Sequence, residues 1–240
     1  MQIDTQLIPL PPEPKMLLEK NVVVIDVLRA TSVIVYALSQ GALEIIPATS
    51  IQEAKEKANA FSQGTTLLGG ERGSLKIEGF DLGNSPMEYL EERIKGKRII
   101  LTTTNGTRAF HLVSSGHKIF IGSFLNIEAI AKRCLEFDQD LLIFLSGDRG
   151  SFSLEDTVCA GMLIDLILKN EGKQVALTDA SYAALFLYQR FEANLLGAFH
   201  LSQHGKDLFE LGGGEDLIFC AQTNITKIVP LFKDGVIRIS

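Results

Sequence analysis

Short apolar segments recur along the chain and alternate with stretches whose apolar residues have helical spacing. Residues 21–25 and 141–145 are almost entirely apolar, which is typical of strands buried on both faces of a sheet. The same pattern, bounded by turn residues, predicts several shorter strands. These are 43–47, 65–68, 98–102, 118–121, 175–177, 216–221 and 236–239.

Capping residues and glycines indicate where helices begin and end. Ser50 with Glu53 has capping-box spacing, and Ser85 before Pro86 is a typical helix start. Residues 1–20 are predicted to be an irregular or edge segment, because prolines cluster between positions 11 and 14. The predicted helices cover 32–40, 50–63, 85–95, 107–115, 126–137, 153–169, 179–191 and 194–203.

The alternation of strands and helices predicts the fold class. It favours an α/β protein with three α/β/α layers around a central, largely parallel or mixed sheet. We find no linker, repeat or low-complexity tract, so residues 1–240 are predicted to form a single domain. Ligands of such sheets bind beyond the carboxyl ends of the strands, and the loops there are the place to look for function.

Composition narrows the class of protein. Hydrophobic residues make up 46% and charged residues 22% of the 240 residues, and the net charge of −6 argues against a nucleic-acid partner. No apolar stretch approaches the roughly 18 residues of a membrane span, so we expect no membrane partner. The proline-rich start is unlike a signal peptide, so we expect a cytoplasmic protein. Cys134, Cys159 and Cys220 are expected to be buried free thiols. The oligomeric state stays open, a homo-oligomer included.

The loop that begins at Asp26 follows a predicted strand. Asp26 is placed to ligate a hard cation, and Arg29 has the planar fork that binds phosphate or sulfonate. The alternative is a surface Arg29 beside a helix capped by Thr31 or Ser32. A haloacid-dehalogenase phosphatase needs a second Asp where this chain has Leu28, and a dinucleotide-binding turn needs glycines that this loop lacks.

Two further loops are rich in glycine or threonine. Residues 69–86 combine glycines with charged residues. Such a long irregular stretch is more often functional than not, and the alternative is a flexible surface loop.

Residues 101–108 place threonines, an Asn and a Gly between a strand and a helix, where free N–H groups and the helix dipole favour an anion. The alternative is a threonine-rich turn with Thr107 as an ordinary cap.

A fourth loop, residues 146–156, is rich in acids. Asp148, Glu155 and Asp156 are candidate metal ligands or acid–base groups. Asp156 also has capping-box spacing from Ser153, so a purely structural role is the alternative.

The histidines carry no zinc-binding motif. Two of them are four residues apart, yet no HExxH sequence accompanies them. We therefore interpret His111, His117, His200 and His204 as surface or packing residues.

Seven segments in order along the chain resemble the 2-phosphosulfolactate phosphatase (ComB-like) family. They are VVVIDVLRATS at 22–32, LLGGERG at 67–73, GFDLGNSP at 79–86, TTTNGTRA at 102–109, GSFLN at 122–126, FSLED at 152–156 and SQHGKDLFELGGGEDLIFCA at 202–221. The resemblance implies the ComB-like α/β fold and a magnesium-dependent phosphatase that hydrolyses 2-phospho-3-sulfolactate to 3-sulfolactate and phosphate. In methanogens this step serves coenzyme M biosynthesis.

The resemblance also implies roles for individual residues. Asp26, with Glu71 or Asp156, would ligate Mg²⁺, and Asp156 would orient the attacking water. The expected catalytic residues are Asp26, Arg29, Glu71 and Asp156. The expected substrate-binding residues are Arg29, Thr31, Arg72, Asn84, Ser85, Thr103, Thr104, Asn105, Gly106 and Thr107. A phosphatase for another phosphorylated hydroxy acid and a non-catalytic anion-binding protein are the alternatives.

Overall fold

The structure is a computed structural model that describes residues 1–62, 64–137, 139–170 and 174–240. These residues form one mixed sheet of eleven strands. The strands are β1 (Gln2–Gln6), β2 (Asn21–Ile25), β3 (Glu44–Pro47), β4 (Thr66–Arg72), β5 (Leu75–Lys76), β6 (Arg98–Thr102), β7 (Lys118–Gly122), β8 (Leu141–Leu145), β9 (Ala176–Leu177), β10 (Pro230–Lys233) and β11 (Val236–Ile239).

Helices connect these strands and flank the sheet. They are α1 (Pro14–Glu19), α2 (Ala30–Ser39), α3 (Ile51–Asn59), α4 (Glu91–Ile94), α5 (Gly106–Val113), α6 (Ile127–Phe137), α7 (Leu154–Leu168), α8 (Asp179–Phe191), α9 (Leu195–Leu201), α10 (Gln203–Glu210) and α11 (Gly214–Cys220). Short 3-10 helices occupy Pro86–Glu88 and Phe124–Asn126. In the described ranges, no helix has both the length and the apolarity to cross a bilayer.

Two parallel blocks make up most of the sheet, whose order is β5-β4-β6-β3-β11-β10-β7-β2-β8-β1-β9. Three successive antiparallel pairings separate β3 from β7, so the two blocks run in opposite directions. The loops after β2 and β6 nevertheless meet, because Gly106 packs against Asp26 and Ala30. In a flat sheet these loops would lie at opposite edges, so their contact depends on the twist that sheets accumulate from strand to strand.

The core lies on both faces of the sheet. Successive side chains of a strand point to opposite faces, and in β2 Val23 and Ile25 join one apolar cluster while Val22 and Val24 join another. Residues of α6, α7 and α9 complete the first cluster, and residues of α2 and α5 complete the second. The prediction of three α/β/α layers around a mixed sheet is confirmed, and all three cysteines are buried and free as expected.

The amino-terminal segment is more regular than predicted. β1 pairs in parallel with β8, and Pro14 is the first residue of α1. Proline is tolerated at that position, because its missing N–H would have no partner within the helix anyway. The irregular alternative for residues 1–20 is therefore wrong, and the edge alternative is wrong by one strand, because β1 lies between β8 and the short edge strand β9.

The predicted strand at 216–221 is also wrong, because Gly214–Cys220 is the helix α11. Its buried residues Asp216, Leu217 and Cys220 recur at helical spacing. A short apolar run by itself does not distinguish a strand from a buried helix. The error matters for function, because Asp216 forms an ion pair with Arg29, which lines the pocket described below.

Other boundaries shift by several residues. β4 continues through Arg72 and turns back into β5, so part of the predicted irregular stretch 69–86 is a hairpin. The predicted helix 85–95 divides into the 3-10 turn and α4, because Leu90 between them is extended. The helix that Ser50 caps ends at Asn59, and its predicted end at residue 63 lies outside the described residues.

Two details of the carboxyl half also differ. The helical segment predicted from residue 126 begins one turn earlier, where the Ser123 N–H donates to Asn126 Oδ1 at 3.0 Å. Strand β10, which pairs with β11 and β7, was not predicted at all.

Candidate active site

A polar pocket lies where the loops after β2, β4, β6 and β8 meet α10. We call it the Asp26 pocket. It is lined by Asp26, Leu28, Arg29, Glu71, Gly73, Ser74, Asn84, Thr103, Thr104, Asn105, Asp148, Arg149 and His204.

The loop after β2 holds Asp26 at the amino end of α2. The Thr31 hydroxyl donates to the Asp26 carbonyl at 2.8 Å and accepts from the Asp26 N–H at 3.0 Å. The Ala30 N–H donates to Asp26 Oδ1 at 3.3 Å. Thr31 therefore stabilises the backbone conformation of the loop at Asp26. It is not one of the residues that line the pocket.

Burial dominates the electrostatics of Asp26. Desolvation raises the pKa of Asp26 to about 6, and the neighbouring Glu71 carboxylate adds to the rise, whereas His204 and Ser146 oppose it. Gly106 allows the close packing, because a Cβ there would lie 2.7 Å from Asp26 Oδ2 and 2.5 Å from the Ala30 Cβ. Gly106 thus serves the site by making room for Asp26.

Glu71 ties two loops of the pocket together. Its Oε1 accepts from the Thr104 N–H at 2.7 Å, and its Oε2 accepts from the Ser74 N–H at 2.8 Å. Each carboxylate oxygen has a further lone pair, so these contacts leave capacity to bind a cation. Arg72, next in sequence, donates to the Glu71 carbonyl and to the Thr102 hydroxyl and does not line the pocket.

Arg29 lines the pocket but is already paired. Its guanidinium forms an ion pair with Asp216, and both side chains are less than a tenth exposed. The same guanidinium donates to the Ser74 carbonyl at 3.0 Å. Ser85 donates to the other oxygen of Asp216 at 2.6 Å, so Ser85 orients this pair and is not itself a lining residue.

The threonine loop after β6 divides into lining and supporting residues. Thr103, Thr104 and Asn105 line the pocket. Thr107 supports them, because its hydroxyl donates to the Thr103 carbonyl at 2.7 Å and its N–H donates to the Thr103 hydroxyl at 3.2 Å. Asn105 precedes α5, so the positive end of that helix dipole adjoins the pocket.

Asp156 lies behind the pocket rather than in its lining. Its Oδ1 accepts from the Val27 N–H at 2.8 Å, and its Oδ2 accepts from the Ser146 hydroxyl at 3.3 Å. Burial raises the pKa of Asp156 well above the usual value, and the charges of Glu155 and Asp26 raise it further. These contacts join the loops after β2 and β8, and they do not support the expectation that Asp156 orients a water.

Asp148 and Arg149 extend the wall beside Asn105. The Asn105 amide donates to Asp148 Oδ1 at 3.3 Å, and the Arg149 N–H donates to Asn105 Oδ1 at 3.1 Å. The Arg149 guanidinium pairs with Asp207 of α10 at 2.9 Å. Asn84, from the loop before the first 3-10 helix, completes the lining on the other side.

Of the two alternatives given for His204, a surface residue is wrong and a packing residue is incomplete, because the side chain also lines the pocket. Its side chain is 14% exposed, lines the pocket, and places Nδ1 3.4 Å from Glu155 Oε1. Burial alone would lower the pKa of His204, but the hydrogen bond and charge of Glu155 raise it above the usual value, with smaller contributions from Asp26 and Asp148. The residue lies in the tail segment SQHGKDLF, which was the only sequence signal for it.

The charges of the pocket do not balance. Every cationic side chain of the lining has an acidic partner outside the lining: Arg29 with Asp216, Arg149 with Asp207, and His204 with Glu155. The acids of the lining are Asp26, Glu71 and Asp148. Asp148 has a long contact with a lining cation, 3.9 Å from its Oδ1 to Arg149 Nε, and the described residues give Asp26 and Glu71 no ion pair within 4 Å. Where the chain is described, no three His, Cys, Asp or Glu residues are grouped closely enough to enclose a metal ion. The pocket therefore offers carboxylates, without a complete protein cage for a cation.

Comparisons with known proteins agree on one family. The family profile "2-phosphosulpholactate phosphatase" matches residues 9–235. A curated protein of Caldanaerobacter subterraneus is 45% identical over 227 residues, which cover 92% of this chain and 91% of that protein. A protein of Clostridium acetobutylicum is 42% identical over 218 residues, which cover 91% of this chain and 92% of that protein. A protein of Clostridium beijerinckii is 40% identical over 218 residues, which cover 91% of each chain. All three are named probable 2-phosphosulfolactate phosphatase.

Proposed function

Because the chain belongs to the 2-phosphosulfolactate phosphatase family, whose members are phosphoric monoester hydrolases, we propose that it hydrolyses 2-phospho-3-sulfolactate to 3-sulfolactate and phosphate with Mg²⁺ as cofactor. The substrate class follows from the names of the relatives. The proposal of a metal cofactor rests on the geometry of the Asp26 pocket.

The observation that carries the cofactor proposal is the surplus of acids in the pocket. Asp26, Glu71 and Asp148 line it, whereas each lining cation has its shortest ion pair with a carboxylate outside the lining. Arg149 also lies 3.9 Å from Asp148, which leaves Asp26 and Glu71 as the acids without a cation of the lining in salt-bridge distance among the described residues. A substrate with phosphate, sulfonate and carboxylate groups would meet these acids with like charge, which opposes binding. A divalent cation held by these acids would reverse the sign of that interaction.

The residues present fit Mg²⁺. This ion is usually held by one or two carboxylates and keeps waters and substrate oxygens for its other positions, so a complete protein cage is not required. Asp26 is the first candidate ligand, because its carboxylate is buried, lines the pocket and accepts the Ala30 N–H only at 3.3 Å, and Glu71 and Asp148 are the next. Bound there, Mg²⁺ would neutralise charge on the phosphoryl oxygens and lower the barrier to attack by water.

The remaining polar groups would hold the substrate. The adjoining amino end of α5 and the hydroxyls of Thr103 and Thr104 provide donors for an oxyanion without adding full charge. The Arg29 guanidinium is kept in place by Asp216 and by the Ser74 carbonyl, so it presents a fixed cationic group to a second anion of the substrate. Asp156 would act by holding the loops that carry Asp26 and Ser146.

Phosphate release tests this proposal. We expect the protein to release phosphate from 2-phospho-3-sulfolactate in the presence of Mg²⁺, to lose the activity after chelation, and to regain it when Mg²⁺ is restored. A parallel series of phosphorylated hydroxy acids without the sulfonate tests the substrate. Faster release from one of them would assign a different phosphatase activity, and calorimetric binding without any release would support an anion-binding protein.

A further inference from the structure

The pair formed by His204 and Glu155 has no role in the function proposed so far. Glu155 is the second residue of α7, and His204 is the second residue of α10, so the pair joins two helices at the wall of the Asp26 pocket. The Glu155 side chain is 1% exposed, and its Oε2 has no hydrogen-bond partner in the part of the chain that the structure describes. The imidazole of His204 is therefore the main partner of this buried carboxylate.

One ring nitrogen of His204 faces Glu155. Nδ1 lies 3.4 Å from Glu155 Oε1, within ion-pair distance, so Nε2 is the nitrogen left for the substrate. Among the described residues no hydrogen bond engages Nε2, and the side chain lines the pocket. A carboxylate behind one imidazole nitrogen orients the ring and stabilises its protonated form, as it does in catalytic triads.

The charges around His204 favour the same protonated form. Glu155 of α7 faces it directly, 3.4 Å from Nδ1, and is the charge on which this argument rests. Asp26 after β2 and Asp148 after β8 also act on it across the pocket, but the Mg²⁺ proposed there would offset their charges. Arg149, which lines the same pocket, pairs with Asp207 of α10 and is two-thirds exposed, so solvent and Asp207 reduce its opposing effect. A protonated imidazole at the pocket wall has a proton to give.

Resting on the proposed phosphatase function, we propose that His204 is the general acid of the reaction and that Glu155 is its positioning residue. Water attacks phosphorus, the bond from phosphorus to the ester oxygen breaks, and that oxygen keeps the electron pair. His204 Nε2 gives its proton to this oxygen, which leaves as the free hydroxyl of the hydroxy acid. The proton lost by the attacking water restores the imidazolium, and the other product is phosphate.

The leaving group explains why such a donor is needed. The ester oxygen belongs to an alkyl alcohol, which is a poor leaving group as an alkoxide. General acids contribute about 10²- to 10⁴-fold to such steps. The test therefore compares His204→Gln with His200→Gln, a matched control four residues earlier near the end of α9, whose side chain is exposed.

On 2-phospho-3-sulfolactate with Mg²⁺ present, His204→Gln should lower kcat by about 10²- to 10⁴-fold. Its kcat should also lose the alkaline fall that the wild type shows when the imidazolium deprotonates. His200→Gln should keep both the rate and the pH profile of the wild type. Circular dichroism checks the fold of each variant.

Glu155→Gln provides a second readout that does not depend on full activity. Without the carboxylate, the pKa of His204 should fall in an NMR titration of the histidine ring protons, and the alkaline fall in kcat should move to lower pH by the same amount. A His204→Gln protein that keeps its rate, or a reduced rate with an unchanged alkaline fall, would overturn the inference alone. A wild-type protein that releases no phosphate would instead overturn the proposed function.

Discussion

Gly106 is the residue whose replacement most directly tests the packing around Asp26. A Cβ at this position would lie 2.5 Å from the Ala30 Cβ, 2.7 Å from Asp26 Oδ2 and 3.3 Å from the Thr103 hydroxyl oxygen. The first two distances are shorter than real Cβ contacts, and neither neighbour is the end of a long flexible side chain. In Gly106→Ala, either α5 or the loop that carries Asp26 must therefore move.

The magnitude follows from the size of that clash. Adding a methyl group to a packed interior typically costs about 1–3 kcal/mol. For a chain of this length each kcal/mol lowers Tm by roughly 2–4 °C, so we expect Gly106→Ala to melt about 2–12 °C below the wild type. A displacement of about 1 Å at a catalytic group costs on the order of 10²-fold in rate, so phosphate release should fall by about that factor.

Gly214→Ala is the matched control. Gly214 is also the first residue of a helix, but a Cβ there would meet only the Phe209 ring at 3.4 Å, an ordinary contact. We expect its Tm and its rate of phosphate release to stay close to those of the wild type, measured by differential scanning calorimetry and initial rates. Wild-type stability and activity in Gly106→Ala would refute the packing described here.

Two other predictions concern charges. Arg29→Met leaves Asp216 buried without its cationic partner, so it should lower the free energy of unfolding in urea by about 3–5 kcal/mol. Adding Asp216→Leu should recover most of this loss. Equal stability of Arg29→Met and wild type would contradict the buried pair. Folding raises the pKa of Asp26 from 3.8 to about 6. The contribution of Asp26 to the stability of the folded state is therefore most favourable below pH 3.8 and is lost as the pH rises through 6. Without Mg²⁺, the free energy of unfolding of Asp26→Asn should therefore rise by about 3 kcal/mol relative to that of the wild type as the pH increases over that range. A difference between the two proteins that does not change with pH would contradict the raised pKa.

Local patterns in the sequence were sufficient for much of the fold. The apolar segment of β2 predicts a strand buried on both faces, and the acid that follows it predicts a polar loop at the strand end. Both depend on residues that are neighbours in sequence. The prediction of a strand at 216–221 was wrong for the same reason, because a short apolar run carries no information about the partner against which it packs.

The site depends on contacts that local patterns do not contain. Arg29 is predicted as a phosphate ligand from its own loop, but its partner Asp216 lies 187 residues further along the chain. His204 resembles a surface residue of an amphipathic helix until α7 brings Glu155 beside it. The meeting of the loops after β2 and β6 likewise depends on strand order and twist, which no single segment specifies.

The central claim is that a cation held at Asp26 makes the pocket able to act on an anionic phosphate ester. The direct measurement is the initial rate of phosphate release from 2-phospho-3-sulfolactate over a series of Mg²⁺ concentrations, for wild type and for Asp26→Asn. The wild type should be inactive after chelation and saturate with Mg²⁺, whereas Asp26→Asn should stay inactive or need much more of the ion. Full turnover of the wild type without Mg²⁺, or of Asp26→Asn at wild-type Mg²⁺ concentrations, would contradict the claim.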